Sequence, residues 1–142
     1  MTGSPHPAAN VTVLVYSQKD DVRTSVRTAV GRRAAPDLPR LDWVECANYS
    51  QVKDQLDSGD VDLAIFDGDA QPTGGLGLCR QFKNEITDCP PIIVLILREV
   101  DRWLATWSQA DAVIVRPLDP VTAAAAVAGV LRARIAAIPM VR

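Results

Sequence analysis

The stretch "VDLAIFDGDAQPTGGLGLC", residues 61–79, ends an apolar run on Asp67 and continues into a polar loop with glycines. A carboxylate that a buried strand carries to the edge of the interior is well placed for chemistry. Its neighbours decide which chemistry that is. A second charged group follows a shorter apolar run, "DAVIV", in the form of Arg116 before Pro117. "TGGLG", Thr73–Gly77, looks like a phosphate-cradling loop, but no lysine follows and the spacing of a P-loop or dinucleotide fingerprint is missing. It reads as a loop with a glycine helix entry. Cys46, Cys79 and Cys89 show no CxxC spacing, and pairing two would leave one over. They read as reduced thiols, two of them on apolar faces. The one histidine, His6, lies in the leading segment, so no zinc site is expected.

The elements that position these groups follow from periodicity. "VTVLVYS" (Val11–Ser17) is a β-branched buried strand. Val22, Val26 and Val30 recur every four residues within 20–34, one face of a helix with two aspartates at its positive end. "LDWVECA" (Leu41–Ala47) alternates, as a strand near a sheet edge does. In "SQVKDQLDSG", Ser50 can cap and Gly59 can stop a short helix. "VDLAIFD" and "PPIIVLIL" are continuous apolar strands, with a helix over 77–86 between them. A short helix over 101–109, a strand over 111–115 and an alanine-rich helix over 121–138 complete the chain. Continuous apolar strands imply a sheet covered on both faces, hence a parallel one. Right-handed crossovers then give a doubly wound α/β fold with five strands. Ligands of such folds bind beyond the carboxyl ends of the strands. Ser17, Asp67, Ile96 or Leu97, and Arg116 all fall there.

The chain has 142 residues and a net charge of −2, so one domain is expected, over 11–138, with short tails at 1–10 and 139–142. The leading tail reads as disordered. The charge gives no electrostatic reason to bind nucleic acid. No apolar run reads as a membrane span, and "MTGSPHPAAN" lacks the regions of a signal peptide, so a cytoplasmic protein is expected.

Taken together, the element order, "DLAIFD" closing the third strand, Gly75 and Leu76 eight and nine residues after the aspartate, and "RPLDP" after the fifth strand resemble the receiver domain of two-component response regulators. The resemblance spans nearly the whole chain. It implies a flavodoxin-like fold and an aspartate that accepts a phosphoryl group, here Asp67. It also implies a magnesium ion held by an acidic pair after the first strand. A lysine after the fifth strand, a hydroxyl after the fourth and an aromatic switch on the fifth complete the set. Position by position, the acidic pair falls on Ser17 and Gln18, the hydroxyl on Ile96, the aromatic on Val113 and the lysine on Arg116. Pro72 stands one residue later than usual in the loop.

These replacements have consequences. Magnesium prefers several hard oxygens, and with Ser17 and Gln18 neutral only Asp67, backbone and Asp20 or Asp69 remain. No cofactor is expected, and magnesium enters only if Asp67 is still phosphorylated. Arg116 offers a fixed cation whose planar fork suits a carboxylate. An ion pair between Arg116 and Asp67 is therefore expected, in the space that metal and phosphate would share.

Three further features bear on function. "DGD" (Asp67–Asp69) resembles the DxD start of haloacid-dehalogenase-like phosphatases, a weaker match because Ala70 and Gln71 do not fit. Trp103 and Trp107 stand four apart on one helical face. The simpler reading places them in the core, although a short helix cannot easily bury Leu104 as well. The other places one at a protein interface, where receivers usually dock partners. The last helix has small residues enough to cover the sheet and leave a face for a partner or a second copy. The resemblance thus implies a stand-alone, degenerate receiver that binds a protein partner without phosphorylation. It is similar to actinobacterial orphan receivers, some of which accompany the respiratory NADH dehydrogenase, which would place it peripherally at the membrane. A phosphorylatable receiver and a small phosphatase-like enzyme are the alternatives.

Overall fold

A computed structural model describes residues 10–71 and 73–137. Of the tails expected at 1–10 and 139–142 only Asn10 is described, its side chain donating to Asp42; the rest, with His6, Pro72 and Ile138, lies outside the described residues. The elements run β1 (Val11–Tyr16), α1 (Asp20–Val30), β2 (Leu41–Cys46), α2 (Tyr49–Ser58), β3 (Leu63–Asp67), α3 (Gly75–Glu85), β4 (Ile92–Ile96), a 3-10 turn (Glu99–Asp101), α4 (Arg102–Trp107), β5 (Ala112–Val115) and α5 (Pro120–Ala137). The five strands form one parallel sheet in the order β2-β1-β3-β4-β5. The expected doubly wound α/β fold is present, with β2 at an edge.

Strand alternation divides the interior into two layers. Val13, Val15, Leu63, Ile65, Ile93 and Leu95 face α1 and α5, where Val22, Val26, Val30, Val127 and Leu131 close the core. Leu14, Tyr16, Ala64, Phe66, Val94 and Ile96 face α2, α3 and α4, where Val52, Leu56, Leu78, Phe82 and Ala105 close it. β3 and β4 are buried along their full lengths, as their unbroken apolar sequences require.

Several boundaries differ from the sequence reading, each for a local reason. α1 stops at Val30, short of Ala34, because Gly31 takes φ +84° and its N–H returns to the Arg27 carbonyl. α2 is capped by Asn48, not Ser50: the Asn48 Oδ1 accepts from the Gln51 N–H at 2.9 Å, and the Gln51 side chain accepts from the Ala47 N–H at 2.7 Å. Gly59 ends that helix in the left-handed region, as expected. β3 begins at Leu63, and β4 at Ile92 beyond its two prolines. β4 ends at Ile96, leaving Leu97 exposed. α5 is 18 residues long with mean hydropathy 1.3, so by length and composition it could cross a membrane, contrary to the expectation that no segment qualifies. Its inner residues Ala123, Val127, Ala128 and Leu131 lie buried on the sheet.

α3 starts at Gly75, two residues before the expected Gly77, because the chain passes close behind Asp67 there. A Cβ on Gly75 would stand 2.4 Å from the Asp67 carbonyl oxygen and 2.9 Å from the Phe66 Cβ. A Cβ on Gly77 would meet nothing within 4 Å. Gly75→Ala should therefore destabilise the protein by about 1–3 kcal/mol. Gly77→Ala, on an exposed helical position, should stabilise it by about 0.5–1 kcal/mol. Urea midpoints of the two variants moving in the same direction would contradict this account of the helix start.

Candidate functional site

Strand register brings the rim residues together. Tyr16 pairs with Phe66, Asp67 with Leu95 and Ile96 with Val115. Ser17, Asp67 and Arg116 are therefore neighbours at the carboxyl end of the sheet. Asp67 is 2% exposed and Ser17 fully buried.

The Asp67 carboxylate is enclosed from three sides. The Ser17 hydroxyl donates to Oδ2 at 2.7 Å and itself accepts from the Lys19 N–H at 3.1 Å. The Asp69 N–H donates to Oδ1 at 2.9 Å, a turn in which the aspartate bonds the backbone two residues on. The Arg116 Nη1 stands 3.8 Å from the same Oδ1. That is an ion pair, too long for a hydrogen bond, so the expected pairing is present in a loose form. The Arg116–Pro117 peptide is cis.

Three consecutive residues at the end of β1 reach across to β3 and its following loop. The Tyr16 hydroxyl donates to the Thr73 carbonyl at 2.5 Å. Ser17 holds Asp67 itself. The Gln18 side-chain oxygen accepts from the Gln71 N–H at 2.8 Å. The Tyr16 hydroxyl is pushed above its ordinary pKa, first by burial and then by the Asp67 charge. It stays a donor at neutral pH. Sequence reading took Tyr16 only as a strand residue, and Gln71 only as a mismatch to the phosphatase pattern. The alternation of β1 was the available signal for Tyr16, since it places that ring beside β3, where it meets Phe66 edge-on.

Arg23 of α1 was also missed. Its guanidinium donates to the Ser17 carbonyl at 2.5 Å, to Glu45 at 3.0 Å and to Asp20 at 3.0 Å. A cation thus occupies the space beside β1 where the resemblance implies an acidic pair. The residues present do not fit a magnesium centre: Ser17 and Gln18 are neutral, both Asp67 oxygens are engaged, and Asp20 faces Arg23. Asp69 is exposed, and among the described residues no three metal-ligating side chains cluster. Ile96, buried at the hydroxyl position, has nothing to donate, and Val113 is a half-buried aliphatic.

Away from this rim, Trp103 is 64% exposed and Trp107 46%, so neither belongs to the core. α4 buries Ala105 and, just beyond its end, Ser108, with Leu104 half-buried. The tryptophans share the outer face with Val100, and Leu97 is exposed just before the 3-10 turn. Arg80 of α3 lies 4.8 Å from the Trp107 ring centre and donates to its carbonyl at 2.6 Å. The three cysteines are free. Burial pushes the Cys46 and Cys79 thiols up to about 11, which leaves them unreactive near neutrality.

No family model matches the chain. An uncharacterized response regulatory protein of Mycobacterium tuberculosis, found in two strains, is 46% identical over 129 residues, 91% of this chain and 97% of that protein. Similar solved structures include a LuxR-family two-component response regulator from Aurantimonas, with TM-score 0.73 and 17% identity over 89% of this chain and 88% of that one. The receiver domain of Francisella response regulator 1452 gives 0.72 and 13% over 87% and 98%. Vibrio cholerae chemotaxis protein CheY4 gives 0.68 and 16% over 87% and 100%. With the doubly wound fold and the aspartate closing β3 already in place, the mycobacterial relatives settle the family: the chain belongs to the response regulators, as a receiver domain.

Proposed function

We propose that this chain is a degenerate receiver that binds a protein partner in one conformation, without phosphorylation of Asp67. One observation carries the reading: both oxygens of a 2%-exposed Asp67 are already engaged, by the Ser17 hydroxyl and the Asp69 N–H, with Arg116 beside them. Each of these hydrogen bonds draws charge from the carboxylate and weakens it as a nucleophile, and phosphoryl transfer also needs positive charge placed for the transition state. The neutral Ser17 and Gln18 leave Arg116 as the cation beside that carboxylate. Asp20 and Asp69, the carboxylates a phosphorylatable receiver would recruit, point to Arg23 or lie at the surface. The partner-binding surface is the outer face of α4 and the 3-10 turn before it, where Trp103, Trp107 and Val100 are exposed, with Leu97 exposed just ahead of the turn. Exposed tryptophans flanked by charged side chains are the usual anchors of protein interfaces. Similarity to orphan actinobacterial receivers makes the respiratory NADH dehydrogenase, approached from the cytoplasm, the first complex to test as a partner.

Incubation with magnesium and acetyl phosphate should leave the intact mass of the protein unchanged. A phosphoryl group mapped to Asp67 would overturn the reading in favour of a working receiver, and turnover of the donor without lasting modification would favour an enzyme. For the surface, tagged protein should capture a partner from its native cell lysate that the double variant Trp103→Ala, Trp107→Ala does not. Loss of two such anchors costs at least about 2 kcal/mol, roughly 30-fold in affinity. Because both rings are exposed, the variant should melt within a few degrees of the wild type. Capture of the same proteins by both would remove α4 as the interface.

A further inference from the structure

Arg116 is the unusual cation of this molecule. Its side chain is 27% exposed, and its backbone N–H donates to the Ile96 carbonyl at 2.8 Å, yet none of its guanidinium N–H groups has a hydrogen-bond acceptor among the described residues. Its one charged contact is the 3.8 Å approach to an Asp67 oxygen that already accepts from Asp69. Arg23 by contrast makes three side-chain hydrogen bonds and Lys83 meets Asp111 at 2.6 Å, while Arg134, which also makes only a loose pair at 3.9 Å, faces the half-exposed Asp62 and not a buried carboxylate. Polar groups withdrawn from water normally find partners, and a guanidinium offers five donors in a planar fork that suits an oxyanion.

Arg116 also forms part of the wall of a cleft of about 450 Å³ between α1 and the β5–α5 connection. On one side are the hydroxyl-bearing Thr24 and Thr28. On the other, Pro117 and Leu118 give an apolar surface, and Ala29 adds an apolar group on the α1 side. The nearest carboxylate on that connection, Asp119, is turned back to cap α5 through the Thr122 N–H and hydroxyl. It does not pair with Arg116. A volume of this size suits a small molecule.

We propose that this cleft binds a small organic oxyanion, a carboxylate or phosphate ester on an apolar body, with Arg116 as anchor. Binding draws Arg116 away from Asp67. The head group takes the guanidinium fork, the Thr24 and Thr28 hydroxyls donate to it, and the body lies on Pro117 and Leu118. Turning away costs Arg116 its ion pair with the buried carboxylate, a cost that the ligand's charge offsets, while Asp67 keeps its Ser17 and Asp69 hydrogen bonds. The state of the rim is then set by a non-covalent ligand.

The test is a nuclear magnetic resonance titration of the intact chain with phenyl phosphate, benzoate, inorganic phosphate and neutral benzyl alcohol. Phenyl phosphate or benzoate should produce saturable shifts at the Thr28 and Leu118 amides and the Arg116 side chain. The Asp69 amide, bonded to the same Asp67 oxygen, should shift with them. Tighter binding of one probe identifies the head group, and weaker binding of inorganic phosphate shows the contribution of the apolar wall. Arg116→Gln should weaken binding about tenfold or more, the loss of a charged hydrogen bond. Thr28→Glu, at an exposed helical position, should do the same by repulsion even if Arg116→Gln does not fold. No saturable shift, equal binding by benzyl alcohol, or undiminished binding by the folded variants would overturn the proposal. This result is independent of the phosphodonor experiment, which is read as mass on Asp67.

Discussion

The buried carboxylate of Asp67 constrains everything at the carboxyl end of the sheet. A charge removed from water is tolerated only when it is paired and hydrogen-bonded. The chain meets that demand with a buried hydroxyl, a backbone N–H and a guanidinium. A hydrogen bond to a charged group is worth about 1.5–3 kcal/mol, so Ser17 is as much a structural residue here as any leucine of the core. Its position is inherited from β1, whose register against β3 sets Tyr16 opposite Phe66 and so places the next residue beside Asp67.

The same demand shapes the loop after β3. Tyr16 and Gln18 fix Thr73 and Gln71 by single hydrogen bonds, and the chain then re-enters a helix directly behind the Asp67 carbonyl. Only glycine fits at that point, because a Cβ on Gly75 would collide with backbone. Gly68 is held likewise, with its would-be Cβ 2.4 Å from the Leu95 carbonyl oxygen. The aspartate is thus packed from behind by two close backbone approaches, while the side chains of Tyr16, Ser17 and Gln18, at and just after the end of β1, hold Asp67 and the loop in front.

Much of this was legible in the sequence. Five strands, their parallel arrangement and β2 at an edge followed from apolar continuity and alternation, because burial on two faces or one leaves a direct imprint on residue type. Ser17, Asp67 and Arg116 could be brought to one rim because strand ends align in a parallel sheet. What escaped were contacts that depend on side-chain direction. Arg23 reads as an ordinary helix charge until its reach to the Ser17 carbonyl is seen. Trp103 and Trp107 read more simply as core, since large apolar residues usually are. α4 is only six residues long, however, and its inner face is taken by the small Ala105, with Ser108 at its end, so the larger rings are left outside. The looseness of the Arg116–Asp67 pair, 3.8 Å and not a forked hydrogen bond, lies below what residue types can specify.

A receiver that signals by phosphorylation needs a rim that exchanges partners and a path of movable side chains leading away from it. On the proposed reading, that path is interrupted at both of its usual steps. Ile96 cannot follow a phosphoryl oxygen by hydrogen bonding, and Val113 has no ring to turn between inner and outer positions. Among the described residues Tyr16, Ser17, Gln18 and Asp67 are hydrogen-bonded within the rim, whereas the Arg116 guanidinium is not. Apolar surface is meanwhile concentrated on α4, which packs on β4 and β5 through small residues. A fixed scaffold beneath an exposed aromatic face is what a constitutive binding surface requires, because its anchors need no rearrangement before contact and little ordering entropy is lost on binding. Arg116, the loosely held cation beside the buried carboxylate, is then the feature by which the proposed scaffold would still respond to its surroundings.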